Sequence, residues 1–365
     1  MISMGKFTSR LWGTFLLLVL SLPLAAQKNY TDALDLNLGG KIFATANPYD
    51  RIDPVEGMTP GELGQARLCS GLRVAFDTNS KSIGVRVVWS GTAGNGGNNG
   101  PIAARGFDLY IKKDGHWLWA GNGFTKKNTP GEAHEVTLIP DSGHGAKQCL
   151  VYLPLGSRIE SMDIVTDEGS WIESGANPFR RRIAVFGSSY TNGSGAGRCA
   201  MTWTAQLSRL TGLDFMNFGF SGNCKLQSYF ARALAEADVD AYVFDAFSNP
   251  SPEQVEERLE PFIQILQKAR PGVPLIFIQT IYREKRNFSD SYNAREIAKR
   301  DTAEKMMQMM AAKYKHVYWV NTTNATSENH ETTSDGSHPD SYGYTLWAES
   351  VKDPILEILR KYEKD

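Results

Sequence analysis

The fold class predicted by the 365-residue sequence is α/β: a five-stranded parallel sheet with helices on both faces, preceded by an antiparallel β-sandwich. Three observations carry this. From about residue 180 onward, five short apolar runs alternate with five stretches of helical character, the pattern of successive β–α units. From about 28 to 170 the chain instead reads as short β-rich runs punctuated by Gly, Asn, Asp and Pro, with no sustained 3.6-residue period. The length suits about two domains, and 41% hydrophobic with 22% charged residues is enough to build packed cores and excludes wholesale disorder.

The elements follow in chain order. Lys6 and Arg10 precede the apolar stretch 15–25, which is short for a bilayer span and is followed by the small residues Ala25 and Ala26. Residues 1–26 therefore read as a signal peptide, and the mature chain as a secreted or periplasmic protein with no further spanning segment. In the sandwich region, 27–172, strands are expected at 72–76, 82–89, 107–111, 116–120, 134–138 and 149–155. GTAGNGGNNG, 91–100, is a loop between two of them, either lying over a functional cleft or idle on the surface. Trp117 and Trp119 share one face of a strand and Trp89 ends another; exposed, they could stack on sugar rings, but core packing is the preferred reading.

The polar stretch 166–181 reads as the link to the second domain, 180–365. There the strands are expected at 183–186, 215–218, 241–246, 274–279 and 317–320, with helices near 200–211, 226–237, 252–269, 293–314 and 341–361. Ser251, Pro252 and Gln254 mark one helix start, as cap, first-turn proline and capping-box partner. Pro261 is expected to kink that helix. The methionines at 306, 307, 309 and 310 read as core packing rather than a cofactor surface.

In a parallel sheet, ligands bind beyond the carboxyl ends of the strands. The loops that fall there are GSSYTNG (187–193), GFSGN (219–223), SNP (248–250) and DGSHP (335–339). A serine hydroxyl needs a base to act as a nucleophile. Of six histidines, His338 alone lies at a strand-to-helix junction with a carboxylate near it, and Asp335, three residues earlier, would share its face in a helical turn. Gly222 N–H and the Asn249 amide are candidate donors to an oxyanion, together with the backbone N–H of the nucleophile. Each loop alone has an ordinary explanation as a turn; their joint position at corresponding strand ends is the signal.

With these loops in view, the sequence resembles the SGNH (GDSL-like) hydrolases, and its namesake residues match Ser189, Gly222, Asn249 and His338, with Asp335 completing a triad. It is most similar to a bacterial subgroup whose N-terminal sandwich carries a G-x-D-L-Y motif, here GFDLY at 106–110. The resemblance implies a flavodoxin-like α/β/α sheet, an acyl-enzyme mechanism on Ser189 rather than on its neighbour Ser188, and no cofactor or metal. Two departures stand out: Ser188 occupies a place usually held by an acid or threonine, and the third block is FSNP instead of G-x-N-D.

The expectation is thus an exported esterase cleaving short acyl groups, acetyl above all, from carbohydrate. The alternatives are a longer-chain lipase or thioesterase, and a glycan-binding protein without activity. A net charge of −1 with no basic run gives no electrostatic case for a nucleic acid or an anionic membrane as partner. Cys199 and Cys224 both follow site loops, so a disulfide between them is a possible brace, with two free thiols as the alternative.

Overall fold

The first parallel strand, Arg180–Gly187, sits between Leu213–Gly219 on one side and Ala241–Asp245 on the other; Leu275–Ile278 and Val317–Val320 complete the sheet. This is the order 2-1-3-4-5, in which the chain reverses direction beside the first strand and opens a crevice at its carboxyl end. The structure, a computed structural model, describes residues 28–91, 97–322, 325 and 329–363. The expected signal peptide and the middle of the 91–100 loop lie outside the described residues.

These strands are apolar on both faces because both faces are covered. Ile183 and Val185 point into a core shared with the helices Trp203–Thr211 and Ser341–Arg360, where Trp203 stacks on Trp347 at 4.9 Å. Ala184 and Phe186 point into the opposite core, against Ser228–Ala235, Pro252–Ala269 and Asp290–Lys313. Truncating a ring such as Phe186 to alanine would cost about 3–5 kcal/mol. Met307 and Met310 are buried in this second core while Met309 is exposed, so packing accounts for the inner part of the methionine run. The helix Pro252–Ala269 begins with the expected capping box, Gln254 N–H to Ser251 Oγ and Ser251 N–H to Gln254 Oε1, and continues through Pro261.

Ahead of this sheet lie two antiparallel ones. One pairs Lys28–Asp32, Arg158–Asp167, Ile83–Gly91 and Ala133–Ile139 in that order. The other orders Ile172–Ser174, Arg73–Thr78, Lys147–Tyr152, Gly106–Lys113 and His116–Phe124, with Asn37–Gly39 also pairing Arg73–Thr78. Trp89 and Phe107 stack inside this sandwich. Trp119 departs from the core expectation: it is 52% exposed, with Arg198 lying 5.3 Å from its ring centre. Trp117 is only partly buried. The polar stretch read as a link is partly strand, since Ile172–Ser174 pairs with residues 76–78. Its polar composition reflects an edge strand with one open side, which composition alone does not separate from a linker.

The sandwich is joined to the parallel sheet by shared packing and by charge. Tyr110, Leu150, Tyr152 and Leu155 belong to the same core as Trp203 and Trp347. Arg73 also pairs with Asp214 at 2.8 Å, both almost fully buried. Among the described residues, no helix is long and apolar enough to cross a membrane.

Candidate active site

The first parallel strand ends at Gly187, where a Cβ would come within 2.0 Å of Thr191 Oγ1. Only glycine allows the turn that follows. Ser188 then caps the short helix Ser189–Asn192, accepting from Tyr190 N–H at 3.2 Å. This turn directs Ser189 out of the strand end and leaves Ser188 facing inward. Ser188 donates both its N–H (3.0 Å) and its hydroxyl (2.7 Å) to Asp245 Oδ2, so its side chain is committed to a buried carboxylate.

Ser189 Oγ lies 3.0 Å from His338 Nε2, and His338 Nδ1 lies 2.9 Å from Asp335 Oδ2. The three residues therefore form a continuous line from hydroxyl to carboxylate. The Asp335–His338 segment is not the helical turn expected from its spacing: the following helix starts only at Ser341, and the segment is a bent loop. It is closed by Asp335 Oδ1, which accepts from the N–H groups of Ser337 (2.9 Å) and His338 (2.8 Å). A side-chain carboxylate that bonds the backbone two and three residues on makes an Asx-type turn, which brings the same two side chains together. Partial burial acts to raise the Asp335 pKa, but the bonds from His338 and Ser337 outweigh it and hold the carboxyl below its ordinary value. The Tyr190 ring packs edge-on against the imidazole at 5.4 Å.

Gly222 and Asn249 line the same cavity as Ser189 and His338, a space of about 750 Å³. Gly222 has φ +71°, a conformation favouring glycine, and a Cβ there would meet nothing. Asn249 has its amide oxygen buried without a partner, and its amide nitrogen has no hydrogen-bond partner among the described residues. The turn that carries it is firmly held. Ser248 carbonyl accepts from Arg283 Nη2 and Lys299 Nζ, both at 2.8 Å, and Ser248 Oγ donates to Asp245 Oδ1 at 3.0 Å.

Three contributors were missed in the sequence. Asp245 ends the third strand fully buried, and burial raises its pKa against the bonds from Ser188, Ser248 and Thr191. An Asp closing an apolar strand was its only signal in the sequence. Arg283 donates to Tyr190 Oη (2.6 Å) and Glu296 Oε1 (3.0 Å) and reaches the cavity from the fourth strand's loop. Asn98 comes from the sandwich: its Nδ2 donates to Asp335 Oδ2 at 2.9 Å and lies 2.9 Å from His338 Nδ1. Asn99 accepts from Gly195 N–H at 2.8 Å. The described end of the 91–100 loop thus lies at the cleft.

The GFDLY motif holds the segment after Ser189. Asp108 Oδ2 accepts from Arg198 Nη1 (3.0 Å) and Ala200 N–H (2.8 Å), and Tyr110 Oη accepts from the same Nη1 at 3.0 Å. Cys199 and Cys224 do not form the disulfide considered above; both are free. Cys199 lies in the core on one face of the parallel sheet and Cys224 in the core on the other, so the sheet itself separates them. Following neighbouring site loops did not reveal on which face each residue falls.

The profile of the GDSL-like lipase/acylhydrolase family matches residues 180–357, and that of the GxDLY N-terminus of SGNH-type esterases matches 28–172. A Bacteroides ovatus protein assigned to the GDSL-like lipases is 32% identical, with 92% of this chain and 98% of that one covered and a TM-score of 0.86. Two further structures share the fold. The salicylyl-acyltransferase SsfX3 of a tetracycline biosynthetic pathway is 19% identical, with 82% and 86% covered and a TM-score of 0.64. A family two carbohydrate esterase from Cellvibrio japonicus is 9% identical, with 93% and 100% covered and a TM-score of 0.60. No curated protein matches the chain. Identity of 32% across nearly the whole of both chains, joined to two profiles in the right order, places the protein: it belongs to the GDSL-like lipase/acylhydrolase family, in the form with a GxDLY N-terminus, and is an acylhydrolase.

Proposed function

We infer that the protein is an exported serine esterase that removes short acyl groups, acetyl above all, from carbohydrate. The observation that carries the mechanism is the line Ser189 Oγ–His338 Nε2 at 3.0 Å and His338 Nδ1–Asp335 Oδ2 at 2.9 Å. Ser189 Oγ attacks the ester carbonyl carbon as His338 Nε2 takes its proton, and Asp335 holds the ring in the required tautomer and stabilises the imidazolium. The tetrahedral oxyanion is met by the N–H groups of Ser189 and Gly222 and by the Asn249 amide. The bond to the sugar oxygen then breaks, with His338 returning the proton to that oxygen. Water, activated by the same histidine, attacks the acyl-serine, frees the carboxylic acid and restores Ser189.

The cavity supports a polar, small-acyl substrate. Leu68, Ala104 and Leu155 are the aliphatic members of its lining, against many amide, hydroxyl and charged groups. A long acyl chain would gain about 0.8 kcal/mol per buried methylene only where an apolar channel received it. The apolar segment 15–25 supports export. The test is acyl length at a fixed leaving alcohol: kcat/KM should fall steeply from acetate to octanoate. A rise toward octanoate would replace this reading with the longer-chain lipase.

A further inference from the structure

We propose that the sugar bearing the scissile ester is itself anionic, its carboxylate or sulfate group being received by Lys225 at the rim of the catalytic cavity. The proposal deepens the esterase reading above and rests on it for the position of the ester. Among the described residues, the cavity lining includes one lysine and one arginine, Lys225 and Arg283, and no aspartate or glutamate. A neutral acetylated sugar would give Lys225 no charged partner.

The two cations differ in how far they are committed. Arg283 is tied by Nε to Tyr190, by Nη1 to Glu296 and by Nη2 to Ser248 carbonyl. It acts as a fixed charge with little donor capacity left. Lys225 is partly buried, three residues beyond Gly222, and its ammonium has no hydrogen bond or ion pair among the described residues. Its backbone is nevertheless anchored, with N–H donating to Gln227 Oε1 at 2.8 Å. An ammonium with three free donors on a fixed backbone is suited to receiving an anionic group.

The surrounding acids are bonded to groups other than Lys225. Glu62 spends its carboxylate on Thr59, Gln227 and Tyr229. Asp245 is sealed beneath Ser188, and Asp335 faces His338 and Asn98. Glu296 is shared between Arg283 and Lys299, so that cluster keeps one positive charge in excess. Lys225 is thus left without a bonded carboxylate, and a uronate or sulfated sugar would supply the missing anion; such charge pairs act on both affinity and encounter rate.

The experiment uses the Ser189→Ala protein and three methyl glycosides: a glucuronoside, a glucoside 6-sulfate and the uncharged glucoside. Calorimetric titration at about 20 mM salt should show one or both charged sugars bound roughly three- to tenfold more tightly than the neutral one, with the advantage shrinking at about 500 mM. Whichever charged arm is preferred names the source of the anion. Lys225→Met should bring the ratio toward one, while Lys225→Arg should keep it. Equal affinity for charged and neutral sugars, or a preference that survives in Lys225→Met, would overturn the proposal. The monoacetates of the same glycosides separate the two readings: anion preference without acetate release by the wild-type chain would sink the esterase reading and leave the anion site standing.

Discussion

Arg198 Nη1 lies 3.0 Å from Asp108 Oδ2 and 3.0 Å from Tyr110 Oη, so one guanidinium on the nucleophile side of the molecule is gripped by two residues of the sandwich motif. Asp108 is completely buried, and its second oxygen has no partner, so its charge is balanced chiefly from this direction. The segment it holds is gripped from the other side too: Ser334 Oγ donates to Gly195 carbonyl at 3.0 Å and Tyr344 Oη to Ser194 carbonyl at 2.7 Å. The GFDLY motif therefore braces the chain between Ser189 and the helix at Trp203.

Replacing Asp108 by Asn should destabilise the protein by about 2 kcal/mol or more, because a buried partner of a guanidinium is lost. Urea unfolding reads this directly. The same variant should lose kcat/KM on a simple acetate ester, through a loosened 194–200 segment. Unchanged stability and activity together would remove the bracing role.

The two adjacent serines should separate cleanly. Ser189→Ala should abolish labelling by a fluorophosphonate and hydrolysis with it. Ser188→Ala should still be labelled, at Ser189, but be less stable by about 1–3 kcal/mol, because a donor to the buried Asp245 is gone. Peptide mapping that finds the label on Ser188 would reverse the assignment.

Asn249→Ala should lower kcat on the order of 10²-fold with KM nearly unchanged, as expected for a donor that matters most in the transition state. Steady-state kinetics on one acetate ester decide it. A variant that changed KM alone would make Asn249 a substrate-binding group.

Asp335 gives a pH signature. Its carboxyl is held low in the fold, so its contribution to stability is fully present above the unfolded value, about 3.9, and is lost as pH falls through the lower folded value. With 31% of its side chain open to solvent, that contribution is small, about 1 kcal/mol or less. The difference in urea midpoint between wild type and Asp335→Asn should be flat above about pH 5 and narrow below about pH 4. A difference that stays flat throughout would show that the bonds from His338 and Ser337 do not favour the ionised form.

Much of this was legible in the chain itself, because its signals are local. Apolar runs such as IAVF and AYVFDA fix buried parallel strands, Ser251-Pro252 fixes a helix start, and the polar residues just beyond strand ends can only gather at one end of the sheet. Gly222, Asn249, Asp335 and His338 were found in this way, and the family resemblance chose Ser189 over Ser188; all but Asp335 line one cavity, with Asp335 bonded to His338 behind it. Other features depend on residues far apart in sequence, and period and composition do not encode those pairings. Asn98 reaches Asp335 across 237 positions, and Asp108 reaches Arg198 across 90. Local order also left open which face each residue takes: Cys199 and Cys224 follow neighbouring loops yet fall on opposite sides of a sheet, and Trp119 lies outside the core that its type suggested. The sequence determined which groups stand at the strand ends; the packing of the sandwich against the parallel sheet decided which distant groups meet them, since a side chain's partners follow from the register and facing of whole layers.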